Sequence, residues 1–145
     1  MYAFSKWVDR EVLVDKFEIN YSKNLVIING VKIINDFYTP EKVNQKFDVV
    51  ISLGVLEHIN GPHNFVKSQI ESLKSNGILF FSVPNCENKL MLGDLKLLQH
   101  EHWNYFTRNS IEELLKTCGI KNIKTNIISS LKTIPTDFLI YGKEY

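Results

Sequence analysis

The densest chemistry in the chain lies between Gln99 and Phe106, where Gln99-His100-Glu101-His102-Trp103-Asn104-Tyr105-Phe106 gathers two imidazoles, a carboxylate and three aromatic rings. A histidine titrates close to neutral pH, so His102 with Glu101 beside it could take a proton from an acceptor as a general base. The same imidazole could equally serve packing or the surface, and both readings stand. A second cluster, Glu57-His58, follows a run of apolar residues, where a carboxylate at a helix start gains from the helix dipole. Isolated carboxylates at Glu18, Asp36 and Asp48 complete the set. Cys86 and Cys118 stand alone, without metal-type spacing, so neither a disulfide framework nor a metal site is expected.

Those residues need elements to hold them, and the apolar pattern alternates between strand-like and helix-like stretches, which favours α/β architecture. Phe47 to Leu53 is the strongest strand, a nearly continuous apolar run of the kind a parallel sheet covers on both faces. Helices are predicted over residues 3–9, from Ser22 to Ile28 with Asn29-Gly30 as a stop, from about 62 to Ser75, and from Ser110 to Cys118. In the last of these Ser110 stands three residues before Glu113, a capping-box spacing. Strands are predicted from Glu11 to Ile19, Val31 to Asn35, Ile78 to Val83, and near 121–128 and 134–141. Asn76-Gly77 reads as the end of the third helix.

Composition bounds the function. At 145 residues with 44% hydrophobic content, one domain spanning residues 1–145 is the default expectation. A net charge of +1 gives no footprint for nucleic acid. No apolar run approaches the roughly 20 residues of a membrane helix, and the start lacks a signal peptide's apolar region. The expectation is a cytoplasmic protein with neither nucleic-acid nor membrane partners.

The ordered combination of the Asp48-bearing strand, Leu56-Glu57-His58, the Asn76-Gly77 turn into Ile78-Leu79-Phe80-Phe81-Ser82-Val83-Pro84, and Tyr105-Phe106-Thr107 through Cys118-Gly119-Ile120 resembles the small-molecule branch of class I S-adenosylmethionine-dependent methyltransferases. The resemblance implies a Rossmann-like sheet with helices on both faces, S-adenosylmethionine as cofactor, and a small-molecule acceptor such as a sugar or quinone. It implies that Glu18 bonds the cofactor's ribose hydroxyls, that Asp36 and Phe37 meet its adenine, and that Ser52 and Leu53 pass beside its methionine half. Glu101-His102 resembles a Glu-His pair of methyltransferases acting on nucleotide-linked deoxysugars, where a nearby tyrosine assists the histidine. Here Gln99 stands three residues before His102, where that tyrosine is expected.

One family hallmark is absent from these 145 residues. The glycine-rich loop, which needs positive φ and close backbone approach to the ligand, has no counterpart, since the seven glycines include no Gly-x-Gly. Reading Val12-Leu13-Val14-Asp15 as the family's first strand leaves too little chain before Asp48 for the elements that must intervene. The resemblance therefore places Met1 near the end of the glycine loop and implies a truncated domain whose first, central strand is missing. Two functions follow as alternatives. One is a methyltransferase-family domain, with activity in isolation left open. The other is a catalytically dead relative acting as a binding or dimerisation partner, in a homo-oligomer or with a complementing methyltransferase chain.

Overall fold

A computed structural model describes residues 2–4, 25–28, 31–34, 36–95, 98, 100–128 and 137–143. The predicted strand at Glu11–Ile19, and Glu18 with it, lie outside the described residues. The chain divides into two compact units, Met1–Asn44 and Gln45–Tyr145.

The first unit holds a three-stranded sheet of β1 (Tyr2–Phe4), β2 (Leu25–Ile28) and β3 (Val31–Ile34), in the order β1-β3-β2. β1 runs parallel to β3, and β2 antiparallel to it. β3 falls where the sequence predicts a strand. The helices predicted over 3–9 and 22–28 are not what forms at Tyr2–Phe4 and Leu25–Ile28. Val26, Ile27 and Ile28 are β-branched and favour a pleated surface over a helix. Asn29-Gly30 is as good a hairpin signal as a helix stop, and the register, Ile28 opposite Val31, leaves just those two residues between the strands. A helical turn, α1 (Pro40–Val43), follows.

The second unit carries the larger sheet. Its strands are β4 (Phe47–Leu53), β5 (Leu73–Pro84), β6 (Asn122–Ile128) and β7 (Asp137–Lys143), in the order β4-β5-β7-β6. β4 and β5 are parallel, and β7 runs antiparallel to both β5 and β6. Between β4 and β5 come a 3-10 turn (Leu56–His58) and α2 (Pro62–Glu71). α3 (Cys86–Met91) and α4 (Arg108–Thr117) follow β5.

Two boundaries move from their predicted places. α2 ends at Glu71 and β5 begins at Leu73, so Asn76-Gly77 lies within the strand. There the register jumps from Phe47↔Leu73 to Val49↔Ile78, and Asn76 takes φ 68°. This is a bulge, for which Asn and Gly are suited because both tolerate positive or crowded backbone. A Cβ on Gly77 would sit 2.9 Å from the Lys74 carbonyl. α4 starts earlier than predicted. Thr107 is its N-cap, and Ser110 is the third-position partner that closes the box: the Ser110 amide donates to Thr107 Oγ1 at 3.2 Å and the Thr107 amide to Ser110 Oγ at 2.9 Å.

The core sits on one face of this sheet. Leu79, Phe81 and Val83 of β5 pack with Val66 of α2, Ile111 and Leu115 of α4, and Ile140 of β7, all essentially without exposure. The opposite face differs. Val49, Ile51 and Leu53 are 47%, 60% and 57% exposed, so β4 is covered on one side and not on both as its sequence predicts. No described helix is long and apolar enough to cross a membrane.

Candidate functional site

Because β4 and β5 are parallel, both chains leave the sheet at the same end, and in open α/β sheets that carboxyl end is where ligands bind. β4 exits through Gly54, whose φ of +60° no side chain readily adopts and whose amide donates to the Ser82 carbonyl at 3.0 Å. The turn that follows drives Leu56 into the core at 1% exposure and holds Glu57 at 4%. A Cβ on Gly54 would make only ordinary contact with Glu57 Oε1, at 3.7 Å, so the positive φ and not crowding calls for glycine here.

The 101–105 segment is pinned onto this turn. The Trp103 and Asn104 amides both donate to the Glu57 carbonyl, at 2.9 and 3.0 Å. The Asn104 side chain donates to the Leu56 and Ile59 carbonyls at 3.2 and 2.7 Å. His58 Nδ1 lies 3.0 Å from the Glu101 carbonyl. A carbonyl only accepts, so Nδ1 carries the proton there and a neutral His58 presents Nε2 as a lone pair.

These contacts bring His102 against His58, with ring centroids 4.8 Å apart at 73°, and place the Tyr105 ring 6.0 Å from His102 on another side. Donor atoms of Glu57, His58 and His102 fall within 4.8 Å of one another. His102 Nδ1 is buried with no hydrogen-bond partner among the described residues. Burial pushes the His102 imidazole below its ordinary pKa; His58 and Lys89 push the same way and Glu101 opposes them. His102 is therefore neutral near pH 7, the state a general base requires. One carboxylate and two imidazoles at this spacing can relay a proton, and drawn closer they are donors of the kind that ligate a transition-metal ion.

The residues singled out in the sequence are distributed unevenly. His102 is in the cluster. Glu101 lies on the rim, its side chain 65% exposed and 3.8 Å from His100 Nε2. Ser52 is buried at 5% exposure, with its Oγ lacking a hydrogen-bond partner among the described residues, while Leu53 next to it is exposed. Asp36 and Phe37 belong to the first unit. There Asp36 accepts from the Phe37 amide at 2.7 Å and pairs with Lys42 at 2.9 Å, and Phe37 is 53% exposed. Asp48 pairs with Lys74 at 2.8 Å, and that partner holds its carboxyl below the usual carboxylate range. Trp103 is 69% exposed.

Sequence reasoning missed that Glu57 and His58 face His102, that Tyr105 supplies the ring Gln99 does not, and that Asn104 ties the two segments together. Leu-Glu-His and His-Trp-Asn-Tyr were each visible, but no local signal joins stretches more than forty residues apart.

The profile of a family described as "Methyltransferase domain" matches residues 4–125. A ubiquinone biosynthesis O-methyltransferase of Rickettsia canadensis (strain McKiel) is 30% identical over 105 residues, which are 64% of this chain and 44% of that protein. The chain thus spans less than half of this relative's length. Among solved structures, a SAM-dependent methyltransferase from Archaeoglobus fulgidus superposes with TM-score 0.58 at 15% identity, over 77% of this chain and 67% of that one. The 1,6-didemethyltoxoflavin-N1-methyltransferase of Burkholderia thailandensis, solved with 1,6-didemethyltoxoflavin and S-adenosylhomocysteine, gives TM-score 0.58 at 13% identity, over 79% and 51%. The sheet, with parallel β4 and β5 followed by antiparallel β7 and β6, has the Rossmann-like fold of these structures, and the chain belongs to the methyltransferase domain family whose profile it matches.

Proposed function

We propose that this domain serves methyl transfer from S-adenosylmethionine to a hydroxyl of a small cytoplasmic metabolite of the sugar or quinone-precursor class. The observation that carries the reading is the neutral, half-buried His102 at the carboxyl ends of β4 and β5, with Tyr105 and His58 against it. A small acceptor accords with the relative described as acting in ubiquinone biosynthesis and the neighbour solved with a small heterocycle.

Bound S-adenosylmethionine supplies a methyl group already activated on a sulfonium. The chain's own task is to bind, align and deprotonate. His102 takes the acceptor's hydroxyl proton as the oxygen bonds to the methyl carbon and the sulfur–carbon bond breaks, and Glu101 is the carboxylate that favours the resulting imidazolium. Tyr105 orients the acceptor, and Glu101 on the rim adds negative potential. Ser52 and Leu53 at the end of β4 would stand beside the methionine half, and the buried Ser52 Oγ, which has no hydrogen-bond partner among the described residues, is a polar group for that loop to use. Glu18 would accept from the ribose hydroxyls, and Asp36 with Phe37 would meet the adenine.

A second reading is a catalytically inactive binding partner. Calorimetric titration with S-adenosylmethionine and S-adenosylhomocysteine separates the two. Micromolar binding, followed by methylation of a catechol that His102→Gln abolishes, supports the enzyme. A folded protein that binds neither ligand sinks it as a stand-alone catalyst and leaves the partner.

A further inference from the structure

Glu57, His58 and His102 all belong to the second unit, and one donor atom from each lies within 4.8 Å of the others. Among the described residues this is the one place where three His, Cys, Asp or Glu side chains converge so closely. The backbone holds the arrangement: the Trp103 and Asn104 amides donate to the Glu57 carbonyl, which ties the segment carrying His102 to the turn carrying Glu57 and His58.

Each donor is presented as a ligand should be. The proton on His58 Nδ1 goes to the Glu101 carbonyl, which leaves Nε2 as the lone pair, 3.9 Å from Glu57 Oε1. A backbone carbonyl behind the other ring nitrogen is what metal-binding histidines commonly have, because it sets both tautomer and orientation. His102 Nδ1 is buried and no described protein group bonds to it. Glu57 is 4% exposed, and carboxylates so far from water are the ones that pair or coordinate metals. Ligand bonds of about 2.0–2.2 Å place neighbouring donors roughly 3.4 Å apart. Closing the cluster therefore takes movements on the order of 1 Å, which side-chain rotation supplies.

The donor set also selects the ion. Two imidazoles and one carboxylate suit zinc, cobalt, nickel or ferrous iron, whereas magnesium and calcium want oxygen throughout. Cys86 senses Glu57 but offers no thiolate, since burial raises its pKa and Sγ donates to the Pro84 carbonyl at 3.6 Å. Lys89 acts against a cation here, and the carboxylates of Glu57 and Glu101 act for it.

We propose that Glu57, His58 and His102 form a site for one divalent transition-metal ion, with coordination positions left over for water. Binding of the ion does not depend on the function proposed above, but its consequence does. A neutral imidazole has a single lone pair, so an ion on His102 and a proton-accepting His102 exclude one another. The ion is then an inhibitor of methyl transfer.

The test titrates the full 145-residue chain with Co²⁺, read by visible absorption and calorimetry, and with Zn²⁺, read by histidine NMR. A single site is expected, with cobalt bands of a nitrogen and oxygen environment and no thiolate charge-transfer band. His58→Gln and His102→Gln should each weaken Co²⁺ binding at least about tenfold. His100→Gln, whose ring is 92% exposed and outside the cluster, should leave it unchanged. In the native chain, where no variant has to fold, Zn²⁺ should shift the His58 and His102 ring resonances together and ahead of those of His63 and His100. No uptake of Co²⁺ overturns the proposal. So does uptake that survives both substitutions, or zinc shifts confined to His63 and His100. Uptake by a chain that transfers no methyl group supports the site and counts only against the proposed function. Methyl transfer undiminished with Zn²⁺ on His102 keeps the site and removes His102 as the base.

Discussion

The Asn104 side-chain amide donates to the Ile59 carbonyl at 2.7 Å, across 45 residues of sequence, and through that bond the histidine-bearing loop is fixed to the turn that ends β4. The same nitrogen reaches the Leu56 carbonyl at 3.2 Å, and the Asn104 amide reaches that of Glu57 at 3.0 Å. Asn104 is thus a positioning residue for His58 and His102. Replacing it with alanine removes the donor from carbonyls in a partly buried setting, which costs about 1–3 kcal/mol. Asn104→Asp should be at least as damaging, because a carboxylate cannot donate to a carbonyl. Urea denaturation checks the magnitude. Loss of the His58–His102 ring contact, followed by imidazole chemical shifts, distinguishes a positioning role from simple support.

His102 gives the domain a pH dependence of definite sign. The unfolded chain takes up this proton near the ordinary value of 6.5, and the folded chain does so only at lower pH. Between those values the unfolded state holds more protons, so stability rises with pH. The contribution is complete above the ordinary value and is lost as pH falls towards the lowered one. His58, Lys89 and Glu101 are the charged or titratable groups acting on it. The expected result is that the stability difference between native and His102→Gln proteins shrinks or reverses as pH drops from 7 to 5. A difference that stays constant over that range refutes the assignment. Proton titration by NMR should place the His102 midpoint below that of free histidine.

The Thr107–Ser110 box starts the helix that closes the core, and its loss has a local signature. Thr107→Ala leaves an amide of the first turn without its acceptor and should cost about 1 kcal/mol. Ser110→Ala removes the reciprocal bond and should cost less, because the Thr107 amide can turn to water. Thermal melts of both variants check the order, and a larger effect at Ser110 contradicts it.

How much of this was legible beforehand depends on which interactions are local. Phe47–Leu53 and Val31–Ile34 announced themselves as apolar runs, and a Rossmann-like sheet is what the resemblance of their segments implies. Boundaries were misplaced where one dipeptide supports two structures. Asn29-Gly30 stands between paired strands and Asn76-Gly77 makes a bulge, yet both read as helix stops, since the same two residue types suit hairpins, bulges and helix ends alike. At the site, His102 was legible by residue type. Its neighbours Glu57 and His58 were not, because their approach is made by backbone carbonyls of Leu56, Glu57 and Ile59, which carry no sequence signal. Tyr105 was displaced by the search for a ring at Gln99.

The two faces of the larger sheet give a final, paired prediction. Leu79 and Ile51 are aliphatic residues of similar volume on adjacent parallel strands, and sequence alone treats them alike. Leu79 is 1% exposed among α2 and α4, whereas Ile51 is 60% exposed on the other face. Leu79→Ala empties a packed site and should destabilise by about 2–5 kcal/mol. Ile51→Thr keeps the β-branch that suits a strand and empties nothing, so its effect should stay within about 0.5 kcal/mol. Guanidinium unfolding of the isolated chain measures both. An Ile51→Thr cost approaching that of Leu79→Ala would mean that the β4 face is already buried by other residues of this chain. A negligible cost is the behaviour of an apolar side chain that packs against nothing in this chain.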